Sequence, residues 1–461
     1  MKVMKFGGSS VGGAEQIKNT CKLIAERAKP SDVIIESAIG TDEKKGEMVK
    51  VTDMLIQLYN AELGERDKLI DKIITRHYRI MEDLGLDVNK LGPEFNELEG
   101  CIDIPERSAK NLDLFQSFGE RLSVKIVAAQ LRKIGVNASA IGAHHAGLVT
   151  TSDFGHAIPL PDVYDSIQKA LKNAQEITII TGFIGCDSEG NITTLGRGGS
   201  DYSAAIFAAA LNAERLELWT DVNGIKSANP KIVPWARTIK RMSFEEAKEL
   251  SFYGAKLHPK TILPAMENNI PVYILNTFDP DGEYTIITND KEVHPEVVKG
   301  ITCDKKNYII NINTPKMIGQ PGFLARVLDA FEINATDIDM VSTSESSASL
   351  TINDAKLIDA IIDELKYLDP KISIKVEEGK SIICVVGEGM KHKPGTSGRL
   401  FSALGKAGIS VEAISQGASE INITFVVKDD DADNAVRAIH DEFFGQDDEE
   451  MDGNGIIKIK S

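Results

Sequence analysis

One segment in the last third of the chain occurs twice, and this repetition sets that third apart from everything before it. PGFLARVLDAF, from Pro321 to Phe331, matches PGTSGRLFSAL, from Pro394 to Leu404, with 73 residues between the two starts. The same spacing pairs IDMVS at 338–342 with VEAIS at 411–415. Two unrelated α+β segments that happened to share a Pro-Gly turn would not stay in register through both a helix and the following strand. Each copy reads as strand, Pro-Gly turn, helix and two further strands, closing on a helix such as Ala432 to Phe443, which is a ββαββα- or βαββαβ-like unit. The polar stretch from Asp290 to Lys299, with Pro295 inside it, is the expected linker between this pair and the preceding chain.

The preceding residues alternate short β-branched runs with longer amphipathic stretches, the pattern of a mostly parallel sheet covered by helices. Val3 to Phe6, Asp32 to Ser37, Val136 to Ile141, Ile177 to Gly182 and Leu216 to Thr220 read as strands. Glu15 to Ala28, Arg121 to Ile134, Val163 to Ala174 and Tyr202 to Leu211 read as helices, with apolar residues three and four apart. A longer helical region over 54–84 carries Leu55, Leu58, Leu69, Ile73 and Ile80, with Gly85 as its stop and a cleft as what it would cover. With 461 residues, 42% of them apolar, the chain is too long for one core and too hydrophobic for disorder. A net charge of −17 without a basic stripe argues against nucleic-acid binding. Apolar runs such as Ala204 to Leu211 are far too short to span a bilayer, and neither a membrane segment nor a signal peptide is expected. Five scattered cysteines, none in a CxxC pair, fit a reduced cytoplasm and neither a disulfide framework nor a zinc site.

Five segments have residues suited to chemistry. KFGGSS, Lys5 to Ser10, sets a lysine at a strand end before two glycines whose backbone N–H groups can close on an anion; it is not a Walker A loop, and a plain strand-to-helix turn explains it equally well. LGRGGSDYSAA, Leu195 to Ala205, holds Arg197 among glycines ahead of a helix that Ser200 or Asp201 can cap, and a guanidinium there suits a carboxylate or phosphate. SFGERLS, Ser117 to Ser123, places Glu120 in the expected first turn of a helix, where the dipole alone accounts for it. LWTDVNGIKSANPK, Leu218 to Lys231, leaves a strand at the end where α/β proteins bind nucleotides. YGAKLHPKT, Tyr253 to Thr261, carries Lys256 near a turn, where a lysine is ordinarily solvated. The neighbours His144 and His145 would face opposite ways on a strand and are expected as loop residues, and the acidic run Asp447 to Asp452 as a solvated connection to a last strand, Gly455 to Lys460.

Taken together and in this order, the segments resemble the aspartate kinases of the amino-acid kinase superfamily, and the tandem repeat resembles their paired ACT domains. The resemblance spans nearly the whole chain and rests on KFGGSS, SFGERLS, GRGGSD, WTDV with its following glycine, GAK, and the second repeat from GEGMKHKPGTSG to EINITFVV. It implies an α/β amino-acid kinase fold, a mostly parallel sheet sandwiched by helices, over residues 1–292. Two α+β ferredoxin-like ACT domains would follow at 300–380 and 381–461, with the strand near Tyr308 to Asn313 assigned to the second unit. It implies transfer of the ATP γ-phosphoryl group to the side-chain carboxylate of L-aspartate, with Mg2+ present. An aspartate carboxylate, with a pKa of about 3.9, is already ionised at neutral pH, so the reaction needs charge neutralisation and not a general base.

By the same resemblance Lys5, Glu120 and Asp201 are the catalytic residues, and Lys5, Gly7, Gly8 and Ser9 surround the phosphates. Thr220, Asp221, Lys226, Lys231 and Lys256 contact the nucleotide, while Ser37, Thr52, Phe183, Arg197 and Ser200 hold the substrate, with Glu120 on its ammonium; no protein metal site is implied. Met340, Ser342, Gln416 and Asn422 mark the effector region for lysine or threonine, and a homodimer or tetramer forms through the ACT domains. The sequence also departs from the family. SAIG at Ser37 to Gly40 is followed by the extra TDEKKGEMVK, leaving Thr41 as an alternative to Thr52, and Lys226, Asn229 and Lys231 replace a tyrosine, an aspartate and an arginine. GAKLHP is one residue short, which shifts His258. These changes keep a second expectation open, a catalytically impaired ACT-containing amino-acid sensor.

Overall fold

The computed structural model describes residues 1–104, 107–172, 175–252, 259–289 and 296–445. Lys256, the linker residues 290–295, the acidic run and the expected last strand lie outside them. The chain divides into two compact units, one of Met1–Ile225, Lys240–Phe244 and Leu257–Asp290, the other of Lys226–Ile239, Glu245–Lys256 and Lys291–Ser461.

In the first unit the strands are β1 (Val3–Phe6), β2 (Val33–Glu36), β3 (Ala138–Ile141), β4 (Ile177–Thr181), a hairpin of β5 (Ile184–Cys186) and β6 (Ile192–Thr194), β7 (Leu216–Thr220), β8 (Arg241–Ser243), β9 (Val272–Asn276) and β10 (Thr285–Thr288). Among the described residues eight of them form one sheet in the order β3-β4-β2-β1-β7-β9-β10-β8. Every pair is parallel except β9 with β10, so β1, β2, β4 and β7 end at the same edge. The helices are α1 (Ala14–Arg27), α2 (Val51–Asn60), α3 (Leu63–Asp83), α4 (Gly92–Gly100), α5 (Ala109–Lys133), α6 (Val163–Leu171) and α7 (Gly199–Ala210), followed by α8 (Phe244–Phe252), which crosses into the second unit, and α9 (Pro259–Glu267). Met4, Phe6 and Ile34 pack into a core with α1 and α5 residues such as Ile24, Phe118 and Leu122. Strand alternation turns Lys5 to the opposite face, toward α7.

The five strands read from sequence in this unit are present to within two residues at each end, and two differences have physical causes. The helix expected from Arg121 begins at Ala109, where the Ser108 side chain accepts the N–H of Asn111, so Glu120 sits in mid-helix and the dipole does not account for it. The long helical region is two helices, broken after Asn60. There the N–H of Ala61 closes α2 on Gln57, and Arg66, fully buried, donates to the carbonyls of Tyr59, Ala61, Ile102 and Ile104. His144 and His145 lie in a turn, as expected of loop residues, with their rings 4.1 Å apart.

In the second unit β11 (Gly300–Asn313), α10 (Phe323–Ile333), β12 (Met340–Thr343), β13 (Ser347–Ile352), α11 (Ile358–Leu368), β14 (Ser373–Val386), α12 (Thr396–Lys406), β15 (Ala413–Ser415), β16 (Asn422–Lys428) and α13 (Asp429–Phe444) build the two repeats. They share one antiparallel sheet, β12-β13-β11-β14-β16-β15, whose two central strands are 14 residues long. Each long strand is divided between the repeats. Tyr308–Asn313 pairs with β13 and with Ser373–Glu377, whereas Gly300–Asp304 pairs with Ile382–Val386, the part of β14 that continues to β16. The residues that join the second repeat are therefore 300–304 and not Tyr308 to Asn313. The repeats have separate cores, around Val327, Leu350 and Ile361 in the first and Leu400, Phe425 and Ile439 in the second. Ala228 and Val233 pack into the second of these, beside a buried contact between Ser227 Oγ and His440 Nε2 at 3.0 Å.

Because the Arg66 guanidinium satisfies four carbonyls at the α2–α3 break, Arg66→Leu should lower unfolding stability by about 3 kcal/mol, read by chemical denaturation. A loss below about 0.5 kcal/mol would mean that water satisfies the break as well.

Candidate active site

Glycines bring the loops together at the carboxyl edge of the sheet. The turn after β1 and the turn after β2 touch backbone to backbone: the Gly40 N–H donates to the Gly8 carbonyl at 3.0 Å. A Cβ on Gly40 would stand 2.3 Å from that oxygen, and one on Gly8 would stand 2.9 Å from the Ala38 carbonyl. Neither position admits a side chain. After β4, a Cβ on Gly182 would meet Ser200 Cβ at 2.7 Å, so the TGF turn lies directly against the start of α7. Phe183 follows at φ 66, its N–H on Ser203 Oγ at 3.0 Å.

Within this frame Lys5 reaches from β1 to Asp201 in the first turn of α7, Nζ to Oδ1 2.6 Å. A Cβ on Gly7 would lie 3.6 Å from the same ammonium, which places the glycine turn beside the charge. Gly198, in the left-handed region at φ 72, leads into α7, whose first-turn N–H groups add partial positive charge. Ser37 donates its N–H to Phe6, and Ser200 and Ser9 are half-buried in adjoining turns. Arg197 is exposed at the tip of its loop.

Glu120 is buried, and its Oε1 accepts the Ala38 N–H at 3.2 Å while Oε2 is buried without a partner among the described residues. Burial pushes this carboxyl up to about 8, with the Ala38 N–H pulling the other way. Next to it, a Cβ on Gly119 would lie 2.8 Å from Ala38 Cβ and 3.9 Å from Thr52 Oγ1, so Thr52, in the first turn of α2, shares this corner. The Thr41 carbonyl instead packs on Gly12, where a Cβ would meet it at 2.1 Å. Glu36 is fully buried one residue before Ser37, with its carboxyl held well above the usual range by burial and drawn back in part by Lys5.

At the end of β7, Thr220 Oγ1 donates to Asp221 Oδ1 at 3.0 Å and the Gly7 N–H donates to the Trp219 carbonyl at 3.3 Å, joining this turn to the first. Lys226 and Lys231 belong to the second unit, where the Lys226 ammonium donates to Thr238 Oγ1 at 2.6 Å and the Lys231 N–H to Asn229 Oδ1. In the repeats Met340 is buried, Ser342 Oγ donates to the Ile414 carbonyl at 3.1 Å, Gln416 is exposed, and the Asn422 amide is turned to Glu249 of α8 at 2.5 Å. The described residues hold no group of three or more His, Cys, Asp or Glu side chains able to bind a metal ion.

Sequence reasoning singled out the charged residues but not the packing role of Gly40, Gly119 and Gly182, although the first two stand inside quoted motifs and the third ends a strand read from the sequence. Asp113 was missed altogether. Buried in α5, it accepts the Gly155 N–H at 2.9 Å and the Thr194 N–H and hydroxyl, both at 2.8 Å, and so ties down the hairpin that leads to Arg197. No local motif marks it.

The model of the amino acid kinase family matches residues 1–276, and that of an ACT domain matches residues 383–443. Aspartokinase 1, chloroplastic, of Arabidopsis thaliana is 34% identical over 96% of this chain and 80% of its own length. The crystal structure of Clostridium acetobutylicum aspartate kinase, at 29% identity, covers 96% of this chain and 100% of its own with a TM-score of 0.83. E. coli aspartokinase III in complex with aspartate and ADP, the R-state, is 28% identical over 96% of this chain and 100% of its own, with a TM-score of 0.80. The same protein in complex with lysine and aspartate, the T-state, gives 0.78.

Two expectations arise from the geometry. Gly182→Ala should push Ser200 aside and lower turnover at least tenfold, read from initial rates, with the melting temperature little changed. The Glu120 carboxyl holds a proton in the folded protein between its ordinary value of 4.5 and about 8, where the unfolded chain has lost it. Its contribution to stability is therefore complete below 4.5 and falls as pH rises through 8. Ionisation is also what an ammonium ligand requires, so KM for an amino-acid substrate should fall from about pH 6.5 to about pH 8.5, and Glu120→Gln should flatten that profile.

Proposed function

The chain belongs to the amino-acid kinase family and is an ATP-dependent aspartokinase regulated through ACT domains, and from this premise we propose how its residues divide the work. The observation that carries the reading is the Lys5–Asp201 pair at 2.6 Å, set between the Gly7–Gly8 turn and the start of α7, with Glu120 Oε2, unpartnered among the described residues, at the neighbouring corner. Lys5 and the N–H groups of Gly7, Gly8 and Ser9 take the nucleotide phosphates, with Thr220 and Asp221 on the nucleotide side. Arg197 and Ser200 take the carboxylates of L-aspartate, Thr52 and Ser37 bound the pocket, Phe183 packs on it, and Glu120 takes the α-ammonium. Ammonium binding stabilises the ionised form of Glu120, which burial alone disfavours.

The side-chain carboxylate attacks the γ-phosphorus in line, the bond to the ADP oxygen breaks, and 4-phospho-L-aspartate leaves with no proton to move. Lys5 neutralises the charge shared by the two anions, and Asp201 keeps its ammonium aimed into the turn. Mg2+ would reach the site on the nucleotide phosphates and would supply further neutralisation there. Lysine or threonine is the effector, through the region of Met340, Ser342, Gln416 and Asn422, and the lysine complex of the E. coli relative supports lysine first. ACT pairing across subunits would make a homodimer or tetramer. The five free cysteines are consistent with work in the cytoplasm.

The test is acyl-phosphate formation trapped as the hydroxamate. Product should require ATP, Mg2+ and L-aspartate, fall by about 10²–10³ in Lys5→Met, and decline with lysine or threonine. Undiminished product in Lys5→Met would remove Lys5 from the reaction, and indifference to both amino acids would remove them as effectors.

A further inference from the structure

The extra loop TDEKKGEMVK, residues 41–50, lies between Gly40 of the phosphate-side turn and the start of α2. It is a closed hairpin: Asp42 and Glu47 exchange backbone hydrogen bonds of 2.8 and 2.9 Å, with Gly46 at φ 74. Behind it stands Arg76 of α3, whose side chain is 2% exposed. Its guanidinium donates to the Gly40 carbonyl at one end of the loop and to the Val49 carbonyl, at 2.5 Å, at the other. Glu47 lies 3.6 Å from Arg76 Nε and accepts from Arg79 at 2.6 Å, so the loop's own carboxylate supports the cation that brackets it.

The two ends of the loop are not equally secured. Gly40 is also held by its own N–H on the Gly8 carbonyl. The Val51 N–H rests on the Ile39 carbonyl at 3.0 Å, but the Val49 carbonyl has Arg76 as its donor. Thr52 follows three residues later, against Gly119 and beside Glu120. We propose that Arg76 is a positioning residue for the acceptor half of the site: by fixing Val49 it sets the first turn of α2, and through it the Thr52 hydroxyl. The planar fork sends separate nitrogens to the two carbonyls, Nη1 to Val49 and Nη2 to Gly40, a spacing that the three donors on a lysine's single nitrogen do not reproduce. The inference rests on Thr52 being a substrate contact.

Steady-state kinetics of Arg76→Lys, Thr52→Ala and the double variant in the full chain, with a thermal melt of each, test it. Arg76→Lys should raise KM for aspartate about tenfold and move KM for ATP less than about twofold, a split that general loosening of the fold would not produce. The double variant should be no worse than Thr52→Ala within about twofold, because Arg76 acts through that residue. An unchanged aspartate KM in Arg76→Lys beside a raised one in Thr52→Ala overturns the inference alone, as does a parallel rise of both KM values. An unchanged KM in Thr52→Ala overturns the substrate assignment and the inference with it. If Arg76→Lys fails to fold, Glu47→Gln, which loosens the same guanidinium from its exposed side, is read in the same way, with a rise of about threefold expected.

Discussion

The contact between Gly8 and Gly40 is the constraint on which the rest of the site depends. Two strand-end turns can approach this closely only where neither carries a side chain, since a Cβ on Gly40 would sit 2.3 Å from a carbonyl oxygen. Close approach brings β1 with Lys5 and β2 with Ser37 to one corner of a parallel sheet, and the same logic at Gly182 and Gly119 adds α7 and α5. Backbone proximity is thus converted into convergence of charge: an ammonium, a helix N-terminus and a glycine-lined turn at one end, a buried carboxylate at the other.

That arrangement suits a reaction between two anions. A carboxylate acceptor and a triphosphate repel, and the chain's net charge of −17 does nothing to relieve it. Local positive charge must do so; in the proposed assignment Lys5 supplies it, and the structure shows its ammonium paired with Asp201. Glu120 is out of place among anion-binding groups until the substrate's own cation is considered. Its burial makes it a poor anion when alone, and in the proposed assignment the substrate's ammonium is what offsets that burial.

Much of this was legible in the sequence because strand periodicity and short glycine motifs are local signals. β1, β2, β4 and β7 and the repeats could be read from them, whereas Lys5, Glu120, Arg197 and Asp201 were grouped only through the family resemblance of their motifs. What was not legible depends on tertiary partners. Glu120 looked like a first-turn residue because the helix was started at Arg121, although Leu112, Phe115, Phe118 and Leu122 already recur three and four apart and the cap lies at Ser108. The division of β11 between the two repeats is a matter of pairing register, which no single strand encodes. Asp113 and Arg76 act on backbone groups far along the chain, and a buried polar side chain that satisfies backbone carries no sequence motif. That Lys226 and Lys231 belong to the second unit, with Ala228 and Val233 in the core of its second repeat, is likewise a tertiary fact without a local signal.

The central claim is that one corner of the sheet holds both reactants with Glu120 on the amino group. A crystal structure of the full chain with L-aspartate and a non-hydrolysable ATP analogue tests it most directly. The account predicts the α-ammonium within hydrogen-bond distance of Glu120 Oε2, the carboxylates at Arg197 and Ser200, and the terminal phosphate beside Lys5. Aspartate bound away from Glu120, or a terminal phosphate out of reach of Lys5, would contradict it.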